Sequence, residues 1–272
     1  MSHPFDPGYA LEPFASLVAD YPGEDVYPRE AFRTEWGPIF HRGRLDGTAR
    51  VLVIGQDPAQ HEAIVRRSLV GEAGQRIQGF LAKLGVERSY VFINTFLYSV
   101  YGQGGGEKHI RNAEITKYRN RWIDAILQAG TIQAIVTLGH LADTAYKTWA
   151  STTTASHMYA SVLHPTYPES ASRARRAKIT KAEAMKRLCA NWNDALTALS
   201  GHLTVDAARP LVLYGEKLTL AELAPIPELD LPPGLPDWMR SLDAWARRTG
   251  ASEGEKRSTI KITIPRSAAW WL

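Results

Sequence analysis

The chain has 272 residues, 44% of them hydrophobic and 22% charged, with a formal net charge of +4; this balance allows a sizeable packed core and excludes a disordered, charge-dominated chain. Cys189 is the sole cysteine, which excludes an internal disulfide framework and any cluster or zinc knuckle held by several cysteines; it reads as a packing residue in a reducing compartment. No run approaches the about 20 apolar residues of a membrane helix, and Met1 to Tyr9 has no leader-like pattern, so a cytoplasmic protein with no membrane partner is expected.

In chain order, residues 1–49 carry scattered aromatics and prolines that should wrap a sheet, with one helix around Leu11 to Ala19. Four apolar runs follow: Arg50 to Ile54 before Gly55, Tyr90 to Ile93 before Asn94, Ile132 to Leu138 before Gly139, and Met158 to Leu163 before His164. Such runs suit parallel strands covered on both faces. Helical periodicity lies between them, over Ala73 to Leu84, Thr116 to Gln128 and His140 to Trp149, and continues in a long stretch from Arg173 to Ser200. Strand–helix alternation predicts a three-layer α/β/α fold around a central four-stranded parallel sheet. Residues 1–200 form the predicted catalytic domain. Composition shifts near Gly201, and 201–272 read as an appendage packed on it: an edge strand at Pro210 to Tyr214, an extended proline-rich piece, a short helix from Pro236 to Thr249, and a terminal Trp270-Trp271-Leu272 suited to packing.

In an open parallel sheet, ligands sit beyond the carboxyl ends of the strands. Three of the four ends here carry distinct chemistry: Gln56 and Asp57, Asn94, and His164. Each alone is commonly a cap, a turn residue or a structural histidine; together they define a polar pocket. Asp57 is an acceptor and potential base, and Asn94 presents a flat amide with one acceptor and two donors, able to bind a base edge in a bidentate way. A neutral His164 can donate to a carbonyl or to charge developing on it. The set points to excision of a base, with no metal or other cofactor required.

Gly55-Gln56-Asp57-Pro58 resembles the first motif of the uracil-DNA glycosylase superfamily, and His164-Pro165-Thr166-Tyr167-Pro168-Glu169-Ser170 resembles its second. Asn94 falls where that family places its uracil-reading asparagine, and Leu69-Val70-Gly71-Glu72-Ala73-Gly74 is similar to a stretch of the iron–sulfur branch. The resemblance, over roughly residues 50–190, implies a monofunctional glycosylase of base excision repair that flips uracil out of DNA and leaves an abasic site, working as a monomer. It implies that Asp57 positions or activates water, that Asn94 reads the uracil edge, that His164 stabilises the leaving anion through O2, and that Gln56 adds a backbone N–H there. Leu69 would cover the base, with Phe96 a second stacking candidate.

The sequence departs from the familiar branches. Ala59 follows Gly-Gln-Asp-Pro where the common branch has a tyrosine that blocks the thymine methyl; His61 or Glu62 could fill that gap. Leu69 replaces the stacking phenylalanine of the iron–sulfur branch, and the four cysteines of that branch are absent. The wedge leucine of the second motif is missing, leaving Tyr167 either to enter the DNA or to pack the loop. Pro165, Thr166, Tyr167 and Ser170 are the expected DNA-inserting loop, and Arg173, Arg175 and Arg176 begin a basic run, continued by Lys178, Lys181, Lys186 and Arg187, suited to phosphates. The glycine-rich Gly102 to Gly106, with Lys108, His109, Arg111, Lys117, Arg119 and Arg121 beyond, reads either as a loop near the DNA or as a solvated surface loop. Two other classes stay open: a DNA-binding lesion sensor without turnover, and an α/β nucleotide hydrolase, whose phosphate-cradling loop the sequence lacks.

Overall fold

Five short strands form one sheet in the computed structural model, which describes residues 9–102, 105–173, 178–242 and 244–264. They are β1 (His41–Gly43), β2 (Val51–Gly55), β3 (Tyr90–Asn94), β4 (Ala134–Leu138) and β5 (Met158–Val162), arranged β1-β3-β2-β4-β5. The four apolar runs are the parallel strands β2 to β5. The fifth strand, β1, pairs antiparallel with β3 and is an addition to the expected four. Its His-Arg-Gly sequence gives no strand signal. It is held at the sheet edge by Arg42, which is fully buried, donates to Ser68 O at 2.9 Å, to Gln78 Oε1 at 3.0 Å and to Asp230 Oδ2 at 2.6 Å, and lies over the Phe92 ring.

Because side chains alternate across a strand, each central strand feeds two cores. Leu52, Ile54, Val91, Ile93 and Ile135 face one, with helices α1 (Phe14–Ala19), α4 (Ala113–Ala129) and α5 (His140–Ala150) supplying Phe14, Trp122, Ile126 and Trp149. Val51, Val53, Phe92 and Val136 face the other, against α3 (Glu72–Lys83) and α7 (Lys181–Leu199), which supply Ile77, Phe80, Leu188 and Trp192. This is the three-layer α/β/α arrangement. Cys189 is buried in the second core. Between these helices lie the shorter α2 (Gln60–Val65) and α6 (Tyr167–Arg173). The long helical stretch from Arg173 is therefore two helices: α7 starts afresh at Lys181, where Thr180 caps it and Glu183 returns the bond to the Thr180 amide. No helix among the described residues is long and apolar enough to cross a membrane.

Residues beyond 200 pack on this framework through polar anchors, one at the surface and one buried. Asp206 Oδ2 accepts the amides of Glu87, Arg88 and Ser89 at 2.7, 2.7 and 2.9 Å. Asp230 is 2% exposed and is held by Arg42, Arg44 and the Tyr90 hydroxyl. Two local expectations are corrected. Pro210 to Tyr214 is not a strand: the Tyr214 backbone bonds the amide side chain of Asn193 on α7 rather than a neighbouring strand. Pro236 to Thr249 is not a helix: a 3-10 turn at Asp237–Arg240 leads to β6 (Ala246–Arg248), which pairs antiparallel with β7 (Ile260–Ile262) beyond α8 (Glu253–Ser258). The chain reversal brings the Trp238 and Trp245 rings to 5.3 Å while Leu242 stays 40% exposed, so burial of both indoles, over Val65, Val70 and Ile226, decides against the helical periodicity. Trp270, Trp271 and Leu272 lie outside the described residues.

Candidate active site

Parallel pairing sets Gly55 opposite Asn94, and β4 and β5 end in register at Leu138 and Val162, so Asp57, Asn94 and His164 emerge at one sheet edge. Asp57 is clamped there. Its Oδ2 accepts the Val100 amide at 2.9 Å and its Oδ1 accepts from Gln56 Nε2 at 3.0 Å. Val100 is itself fixed by Arg33, 2% exposed, which donates to Val100 O at 2.7 Å and Ser99 Oγ at 3.1 Å, and by the bridge between Phe32 and Val100. Burial pushes the Asp57 carboxyl up to about 6, against the lowering effect of those two hydrogen bonds and the Arg248 charge. A carboxylate poised near neutrality suits a general base. Arg33 and the 99–100 backbone were not legible as site residues, because they reach Asp57 only through long-range pairing.

Asn94 is 8% exposed, and neither its Oδ1 nor its Nδ2 has a hydrogen-bond partner among the described residues. Its amide lies across Gly55: a Cβ built there would come within 2.4 Å of Asn94 Oδ1 and 3.3 Å of Leu69 Cδ1. Gly55 therefore leaves room for an amide and an apolar cover at one place. Leu69, 6% exposed, holds a left-handed backbone at φ +54°. That strained conformation in a non-glycine residue is kept by its surroundings; Gly74 approaches the Leu69 carbonyl so closely that a Cβ would collide with it.

On the other side, Thr166 donates its amide to His164 Nδ1 at 3.2 Å, with its hydroxyl at 2.9 Å. Nδ1 is thus an acceptor, and the neutral ring carries its proton on Nε2. Burial, together with the charge of Arg76, lowers His164 to about 4, so the imidazole is neutral at physiological pH. The loop is tied to α3 by Arg76, which donates to Pro165 O and pairs with both Glu169 oxygens at 3.0 Å. Burial alone would raise Glu169; the Arg76 bonds and charge instead hold it at about 2. The i, i+4 spacing of Glu72 and Arg76 is visible in sequence, but the partner across the chain, Glu169, is not.

Other expected site residues have different surroundings. His61 does not fill the gap left at Ala59: its Nε2 accepts the Ala246 amide at 3.2 Å and its ring meets Trp245 edge-on at 4.7 Å. Glu62 is equally engaged, accepting the amides of Ala59, Val70 and Gly71. Ala59 is exposed and Pro58 buried beside it. Phe96 is fully buried, with its ring 5.4 Å from Phe32, which leaves Leu69 as the apolar surface beside Asn94. Tyr167 packs partly buried against the second core, and Ser170 Oγ donates to Tyr167 O. Arg173 is exposed at the end of α6, whereas Arg175 and Arg176 lie outside the described residues, as do Gln103 and Gly104 of the glycine-rich loop. The basic run is partly neutralised, with Lys181 on Glu169 and Lys186 on Glu216. Arg119 is 3% exposed and so does not belong to the surface set beyond that loop.

Residues 42–193, more than half of the chain, match the family model of the uracil DNA glycosylase superfamily. No curated protein matches the chain significantly. The match spans both motifs, Asn94, Leu69 and Arg76, and the family accounts for a sheet edge that gathers a carboxylate, an unpartnered amide and a neutral imidazole: the chain belongs to the uracil DNA glycosylase superfamily, glycosylase-type hydrolases that act on DNA.

Proposed function

We propose that the protein hydrolyses the N-glycosidic bond of uracil in DNA, leaving an abasic site. The observation that carries this reading is the buried Asn94 amide with neither polar atom satisfied. Such a group is costly to leave unmade, by about 1–3 kcal/mol, and its adjacent donor and acceptor complement the O4 acceptor and N3–H donor of uracil. Leu69 covers the base beside it. His164, with its proton on Nε2, donates to the O2 oxygen as negative charge develops there, and Gln56 offers a backbone N–H to the same oxygen. Asp57, ionised above a pH of about 6, orients and deprotonates the attacking water. Extrusion costs a few kcal/mol of stacking, offset by these contacts; Pro165, Thr166 and Tyr167 stand at the loop that would take the vacated place, with Ser170 and Arg173 behind it for the phosphates. With Ala59 exposed, and His61 and Glu62 engaged elsewhere, thymine discrimination either comes from another group or is weaker than in enzymes with a tyrosine at that position.

The test is incubation with single- and double-stranded oligonucleotides containing uracil, thymine or hypoxanthine, followed by alkaline cleavage of abasic sites. Breakage at uracil is expected; intact uracil strands would overturn the reading. Comparing thymine with uracil measures the consequence of Ala59.

A further inference from the structure

The β6–β7 ribbon lies outside the segment matched by the family, yet it is docked on α2, the helix that begins three residues after Asp57. The dock is specific: Ala246 donates its amide to His61 Nε2 at 3.2 Å, Gln60 Nε2 donates to Ala246 O at 3.3 Å, and Trp245 is 1% exposed against the His61 ring. Along β6, Ala246 is fully buried, so Arg248, two residues on, shares the face turned toward the body of the molecule. Arg248 is nevertheless exposed, and its charge is felt at both Asp57 and Arg33, which places it at the rim of the site.

The opposite ribbon face shows a second anomaly. Arg247 stands directly across from Lys261, both exposed. Like charges at directly opposed positions, with Cβ atoms about 4.5–5.5 Å apart, destabilise an antiparallel pair. Neither they nor Arg248 have an ion-pair partner among the described residues, and Glu255 in the connecting helix is taken up in capping Ala251 and Ser252. The ribbon, tethered by buried contacts to the helix after Asp57, thus carries one exposed cation on the face toward the site and two on the other, none with an ion-pair partner among the described residues, and such cations are complementary to DNA phosphates.

We infer that the β6–β7 ribbon is a DNA-backbone clamp, with Arg248 on the phosphates next to the extruded nucleotide and Arg247 and Lys261 on the strand beyond. The inference rests on the DNA reading of the site but does not require that uracil be the base removed.

The experiment uses the full chain and a fluorescent single strand carrying one uracil, with its duplex, across a salt series; binding is read in an Asp57→Asn background and excision separately in the otherwise unsubstituted protein. Each cation–phosphate pairing removed should flatten the slope of log Kd against log salt by about 0.7 on the single strand and about 0.9 on the duplex. Arg248→Gln should remove about one such pairing, the Arg247→Gln, Arg248→Gln, Lys261→Gln triple about two to three, and Arg248→Lys none. Thermal melts of the Arg248 variants should coincide with the parent, since that side chain is exposed, and the triple should melt at or slightly above it, since it also removes the Arg247–Lys261 repulsion; if the triple does not fold, the two Arg248 variants decide. An unchanged slope in folded variants, or a protein that binds no DNA, overturns the clamp. Uracil excision with an unchanged slope removes the clamp and leaves the enzyme reading; a flattened slope without excision removes the enzyme reading and leaves the clamp.

Discussion

Asn94, buried without a partner among the described residues, and Asp57, raised by burial, are stability liabilities that the proposed base and water contacts would explain. Asn94→Ala removes an amide with no partner among the described residues, so folding should lose no hydrogen bond. Its melting temperature should stay close to the parent value while kcat/KM for uracil falls about 10- to 100-fold, the equivalent of about 1–3 kcal/mol of base readout; an unchanged kcat/KM would exclude Asn94 from base recognition. Asp57 has a folded pKa of about 6, above its ordinary value of 3.8. A carboxyl raised on folding opposes folding once ionised, so Asp57's own contribution is neutral below about pH 4 and becomes a growing penalty as pH rises toward 6. Asp57→Asn should therefore melt higher than the parent at pH 8, by on the order of 2–3 kcal/mol, with the difference shrinking toward pH 4. The same variant should lose excision, and the parent's excision rate should fall on an acid limb centred near 6. His164, lowered to about 4, adds no limb above that, so a second ionisation near 6.5 would contradict the neutral-imidazole assignment.

Elements are held to the site by a few polar ties. Arg76 on α3 fixes the His164 loop through Pro165 and Glu169, and Glu169 stays ionised down to a pH of about 2. Arg76→Met should slow excision and open residues 164–173 to limited proteolysis, with a stability loss of about 1–3 kcal/mol from the unpaired acceptors. Protection equal to the parent would show that the loop holds itself. The first motif and Asn94 were readable because a strand, its terminating glycine and the polar residues after it are contiguous. The clamp on Asp57 was not, because Arg33 and Val100 reach it from 24 and 43 residues away along the chain.

For the molecule as a whole, Asp230 is the buried charged tie between the C-terminal segment and the sheet strands β1 and β3. It pairs with both Arg42 and Arg44 and accepts from Tyr90, all buried. Asp230→Ala leaves buried guanidinium charge without its carboxylate and should cost about 3–5 kcal/mol, seen as a lower urea midpoint. Because Asp230 contacts β1 and β3 far from Asp57, the variant should keep excision at temperatures where it is folded. A midpoint equal to the parent would mean that water replaces the carboxylate.

Local pattern determined the four parallel strands, the alternation with helices, and the chemistry at the strand ends, since each depends on residues within a few positions of one another. Tertiary structure alone decided the rest. A His-Arg-Gly segment becomes a sheet edge that pairs with β3 and buries Arg42 against Ser68, Gln78 and Asp230, the last 188 residues further on. His61 turns from the Ala59 gap because Trp245 and Ala246 offer a better-packed partner. The helical spacing of Trp238 and Trp245 yields to a ribbon that buries both rings. In each case burial or charge neutralisation between distant residues outweighs a local preference of a fraction of a kcal/mol per residue.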